Sequence, residues 1–214
     1  MEGLSYGTLI FSTIILPLVF SSLHKWNDEE IGFALMSPGI GGLVANIIVI
    51  KKIDYFYKKY QTYGSRLIFS FIGVIGLCLS TIVFGVTINR NVYGSIICLA
   101  LQDLFFVFVC VSVQTFNIDI IKNETPSMLS LQSSSEAIFS SISTQLSVVA
   151  VEKSLELWYY LAGFLFILLI PILIKIIKSK WYLDEEDKKI STELSNIDPM
   201  TISASDGEKL EIQN

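Results

Sequence analysis

Apolar residues run continuously along six stretches of this chain, and short polar intervals separate them. The stretches are Ser5–Leu23, Ile31–Ile50, Leu67–Ile88, Val92–Phe116, Leu129–Val151 and Leu157–Lys178. None alternates with the period of two that a half-buried strand shows, so the pattern predicts helices. Each is close to the roughly 20 residues that cross a hydrocarbon core as a helix. In lipid a spanning backbone must satisfy its own hydrogen bonds, which helices do and loops do not. The expectation is an all-α membrane protein: a domain of six transmembrane helices over residues 1–180, then a tail over residues 181–214. Met1–Tyr6 holds no basic residue, and no small-x-small site precedes His24, so the first stretch predicts a retained helix and not a cleaved leader.

The polar intervals alternate in length. His24–Glu30, Asn89–Asn91 and Glu152–Glu156 are short, whereas Lys51–Arg66 and Asn117–Met128 are longer. The short intervals hold only Lys25, Arg90 and Lys153 of the 15 lysines and arginines. Cytoplasmic loops are enriched in such residues, so both longer intervals and both termini are expected in the cytoplasm. Localisation is then integral membrane and multi-pass, with plasma and vacuolar membranes left open. The net charge of −5 comes from the tail, where nine of the 20 acids but only three bases follow Trp181. That segment, rich in acids, serines and threonines, predicts disorder. The rest lacks the basic face a nucleic-acid binder needs, so the expected surroundings are a lipid bilayer and no nucleic acid.

The residues that depart from the apolar pattern are the candidates for chemistry. Asp103 and Glu136 are the two carboxylates inside the predicted spans. A charge at bilayer depth is costly and turns toward a polar interior. Gln102, Gln114, Gln132, Ser133, Ser134, Ser135 and Gln145 share those two spans, whereas spans three and six are almost wholly apolar. The split predicts that spans four and five line a polar cavity, with three and six facing lipid. Asp103, Glu136, Gln102 and Gln132 are the cavity or proton-coupling candidates, set against the plainer reading of hydrogen-bonded helix contacts. Ser37-Pro38-Gly39-Ile40-Gly41-Gly42 predicts a hinge at Pro38 and Gly39, because proline removes a helix hydrogen bond. His24, beside Asp28, Glu29 and Glu30, reads as an interfacial loop in preference to a proton sensor or metal site. Cys78, Cys98 and Cys110 read as buried thiols, with no pattern for a metal. No nucleophile–base pair or cofactor motif stands out, so neither an enzyme nor a cofactor is expected.

Three places resemble the C-terminal half of a major facilitator superfamily transporter, of the fungal drug:proton-antiporter-like branch akin to zinc-induced-facilitator-like carriers. One is Ser37-Pro38-Gly39-Ile40-Gly41-Gly42 in the second helix. Another is the basic interval ending Tyr60-Gln61-Thr62-Tyr63-Gly64-Ser65-Arg66. The third is Ile121-Lys122-Asn123-Glu124-Thr125-Pro126 before the fifth helix. The resemblance implies half of a twelve-helix fold, with Asp54, Gly64 and Arg66 as loop-motif residues. It further implies proton-coupled transmembrane transport of a small organic solute or drug, with a separate N-terminal half or a second copy as partner. The alternative is a non-transporting relic or regulatory half that associates with a full-length transporter.

Overall fold

Each apolar run becomes a helix in the computed structural model, and several helices outrun the stretch that predicts them. The structure describes residues 2–60, 63–120, 125–152 and 155–195. The helices are α1 (Glu2–Leu23), α2 (Asp28–Tyr60), α3 (Ile68–Thr87), α4 (Val92–Ile120), α5 (Thr125–Glu152) and α6 (Leu155–Ser195), with a short 3-10 helix, Tyr63–Leu67, before α3. Among the described residues there is no strand. Among the described residues five helices are long and apolar enough to cross a membrane: α1, α2, the 3-10 turn with α3, α4, and α6. The sixth expected span, α5, falls short of that apolar content. Nine serines, two threonines and two glutamines among the 28 residues of α5 dilute its apolar content.

Two boundaries also differ. The interval Lys51–Tyr60 is the last part of α2, not a loop. Its aromatics pack along the helix, with Phe56 stacked on Tyr60 at 6.0 Å and edge-on to Phe69 at 5.5 Å. Helix α6 runs on through residues 181–195. Acids there precede bases by four, as Asp184 does Lys188 and Glu185 does Lys189, a spacing that favours helix. Residues 196–214 lie outside the described residues.

Glycines set which helices touch and in which direction. A Cβ at Gly3 would lie 2.6 Å from the Phe139 ring and 3.1 Å from the Ser135 carbonyl oxygen. At Gly7 it would lie 2.7 Å from Ser143 Oγ and 3.1 Å from the Phe139 carbonyl oxygen. This Gly-x-x-x-Gly pair therefore lets α1 run closely alongside α5, in parallel. Gly41 and Gly42 meet Ala100 and Asp103, so α2 runs parallel to α4. Gly73 and Gly76 face Phe105, Phe108 and Val109, which makes α3 antiparallel to α4. Gly85 faces Tyr159, and Gly163 faces Ile82, so α3 is also antiparallel to α6.

The core follows from these contacts. Ile15, Leu16, Phe20, Phe84, Ile88, Leu99 and Tyr159 form one buried cluster. Val74, Leu77, Val109 and Phe166 form a second, and Ala45, Val49, Ile53, Phe69 and Phe108 a third. The expectation that spans three and six both face lipid is half corrected. The α3 window is 61% buried and the α6 window 17%. Small residues on α3 let it sit between α4 and α6, and α6 takes the outer position.

Candidate functional site

The helical repeat places Asp103, Val107 and Cys110 on one stripe of α4. The Asp103 carboxylate occupies the space that the missing side chain of Gly42 leaves, close enough to take a hydrogen bond from that backbone. Asp103 is half-buried, and Cys110, two turns further along the helix, is buried. On α5, Gln132 donates from Nε2 to Glu136 Oε1 at 3.0 Å. Glu136 in turn lies within electrostatic reach of Glu2 on α1. Glu2, Glu136 and Asp103 all lie within electrostatic range of Cys110. One acid each from α1, α5 and α4 thus lies in the part of the bundle that holds this thiol.

Of the four cavity candidates, the structure pairs Glu136 with Gln132 and sets Asp103 against α2. Gln102 is fully buried, and neither amide atom has a partner among the described residues. Glu2 was missed because the first span was begun at Ser5. It is 93% buried (7% exposed), and its Oε1 has no partner among the described residues. A carboxylate three places before an apolar run was the available signal.

The loop-motif residues lie at the end of the bundle that carries the longer connections. Arg66 sits in the 3-10 turn with its guanidinium 4.4 Å from the centre of the Tyr57 ring. Its Nε is 2.6 Å from Asp119 Oδ2 near the end of α4, the side chains 13% and 24% exposed. Neither atom makes an aligned hydrogen bond, so charge holds the pair more than directionality does. Arg66 thus ties α2, the turn before α3, and α4 together. The polar interval Asn117–Met128 predicts a loop at Asp119, whereas α4 carries it; an acid in the interval that alternates with the basic one is the signal. Gly64 lies in the same turn and Asp54 in α2, with the Asp54 side chain outside the described residues. A double-mutant cycle of Arg66→Ala and Asp119→Ala is expected to give a coupling of about 1–2 kcal/mol. A coupling below about 0.3 kcal/mol, measured by unfolding in detergent, would remove the brace.

The remaining candidates have plainer surroundings. α2 runs unbroken through Pro38, and Gly39 faces open space. His24 packs edge-on to Phe20 at 5.7 Å, with Nε2 3.5 Å from the Ile88 carbonyl oxygen. Cys78, Cys98 and Cys110 are free and buried. Among the described residues no group of three His, Cys, Asp or Glu is arranged to hold a metal ion. Residues 121–124 of the third resembling stretch lie outside the described residues. An apolar cavity of about 120 Å³ opens between α1, α5 and α6, against Leu4, Thr8, Phe11, Ser143, Trp158 and Leu165.

Compared with known proteins, the chain matches no family model, no curated protein and no solved structure.

Proposed function

We propose that the chain is the six-helix half of a secondary carrier that moves a small organic solute across a membrane in exchange for protons. The observation that carries this reading is that three helices each hold a carboxylate within the bundle: Glu2 is buried without a partner among the described residues, Asp103 sits against Gly42, and Glu136 is paired with Gln132. Ionisable groups at membrane depth that face the bundle interior mark ion and proton pathways. α5 crosses the bilayer as the polar helix, which makes six crossings. Its hydroxyls are compatible with that: Ser134, Ser141 and Thr144 each donate to the carbonyl one turn back, at 2.8–2.9 Å.

The helix pairing supports the reading. α1 lies parallel to α5 and α4 parallel to α2, while α3 lies antiparallel to α6. Exchanging α1–α3 with α4–α6 maps each of these pairings onto another or onto itself. Two inverted three-helix repeats produce that pattern, as in the halves of major facilitator carriers. The clearest departure is α3 on α4, whose counterpart, α6 on α1, is a looser contact: Tyr159 packs edge-on to Phe11 at 5.4 Å beside the 120 Å³ cavity. Arg66 with Asp119 then acts as a brace on the cytoplasmic side, consistent with the motif role the resemblance implies.

The test is reconstitution of the full chain in liposomes with an imposed pH gradient. Influx of a panel of labelled organic solutes is followed, ethidium among them. Gradient-dependent accumulation that a protonophore collapses is expected. Flux of every solute that is indifferent to the gradient would contradict proton exchange.

A further inference from the structure

At the opposite end of the bundle, the turn between α1 and α2 builds a second site that the carrier reading does not use. Lys25 adopts a positive φ of 56°. The turn brings the Trp26 N–H back to the Phe20 carbonyl oxygen at 3.1 Å. The Trp26 ring packs edge-on to Phe20 with centroids 5.0 Å apart. Asn27 then caps α2: its Oδ1 accepts from the Glu30 N–H at 2.9 Å, and its own N–H donates to Glu30 Oε2 at 3.0 Å. This reciprocal capping box fixes the Glu30 carboxylate as firmly as Phe20 fixes Trp26. The first turns of α2 and α4 add Phe33 and Tyr93.

Trp26, Glu30, Phe33, Ala34, Tyr93 and Ile96 line an open cavity of about 320 Å³. Phe33 and Tyr93 are 74% and 75% exposed, so neither ring is covered by the protein. A helix N-terminus alone repels a cation, but Asp28, Glu29 and Glu30 all sit in the first turn of α2 and reverse that sign. Three aromatic rings, an apolar floor and a carboxylate are the groups that recognise a cation with apolar substituents, through ring faces and opposite charge together. A bare metal ion would need more ligand oxygens than the one carboxylate in this lining offers. An anion would be repelled by Glu30, the charged residue of this lining.

We infer that this pocket binds a quaternary ammonium group, presented either by a free organic cation or by a choline lipid headgroup. The inference stands whether or not the chain carries solutes.

Calorimetric titration of the full chain with choline, in maltoside micelles free of choline lipids, tests it. Choline is expected to bind saturably and on the order of tenfold more tightly than its neutral isostere 3,3-dimethylbutanol. Trp26→Leu and Glu30→Gln are each expected to weaken choline by a similar factor. Glutamine can keep the capping box, so Glu30→Gln should melt where the native chain does while losing the charge. A parallel titration with dihexanoylphosphatidylcholine separates the two sources: tighter binding than choline assigns the lipid headgroup, and weaker binding assigns the free cation. Equal binding of choline and its isostere overturns the inference. So does absence of saturable choline binding, or full choline affinity in both variants.

Discussion

Gly41→Ala is expected to destabilise the protein by about 3 kcal/mol, because the new methyl group would overlap the backbone carbonyl of Ala100. A backbone atom cannot rotate out of the way, so α2 and α4 must separate or shift. Gly39→Ala, two residues earlier in the same Pro-Gly-Ile-Gly-Gly run, is expected to do the opposite. No atom lies within 4 Å of a Cβ there, and alanine favours helix over glycine by up to about 1 kcal/mol. Thermal unfolding in detergent, read for both variants, checks the contrast. Equal melting temperatures for the two would contradict the crossing between α2 and α4 described above. The glycines of one short motif thus have different physical tasks, which composition alone does not separate.

Asp103→Asn is expected to reduce proton-driven flux at least tenfold in the liposome assay. Asparagine has the shape of aspartate and fits the space beside Gly42, so packing is retained while the exchangeable proton is lost. An unfolding midpoint near that of the native chain would show that the loss is not misfolding. Glu136→Gln keeps an oxygen to accept from Gln132 and is expected to reduce flux in the same assay. Unchanged dependence on the pH gradient in both variants would remove these carboxylates from the coupling path.

Much of the bundle was legible because lipid imposes one clear rule on apolar runs. α1, α3 and α4 begin and end within a few residues of their apolar stretches. What hydropathy reports, however, is where a membrane segment ends, not where a helix ends. Lys51, Lys52, Lys58 and Lys59 stop the apolar run, yet α2 continues beneath them to Tyr60. The same holds for α6 beyond Lys178. α5 is the reverse case: its helix was legible, but its serines and glutamines put it below the apolar content of its neighbours.

The site was legible residue by residue and not as an arrangement. Asp103 and Glu136 stood out as carboxylates in apolar surroundings. Their relation depends on the α1–α5 contact, which rests on Gly3 and Gly7 at a spacing of four. That spacing was present in the sequence, but Gly3 fell before the run taken as the first span. Glu2 was lost for the same reason. Arg66 was found through its motif, whereas Asp119 was not, because an ion pair between connections distant in sequence leaves no periodic trace. The Trp26 and Glu30 pocket was likewise hidden. Each residue alone reads as an interfacial aromatic or a helix-capping acid, and only the turn at Lys25 brings them together.

The carrier reading requires α5 to cross the membrane as the polar helix of a six-crossing bundle. Two single cysteines test it most directly, Ser127→Cys at the start of α5 and Lys153→Cys beyond its end, in a chain whose Cys78, Cys98 and Cys110 are replaced by alanine. Each is labelled in sealed vesicles with a membrane-impermeant maleimide added to one side at a time. The account predicts labelling from opposite sides, with Ser127→Cys reactive on the side of the basic α2–α3 connection. Labelling of both positions from the same side would mean that α5 does not cross, and the bundle would lack the wall on which the carrier reading depends.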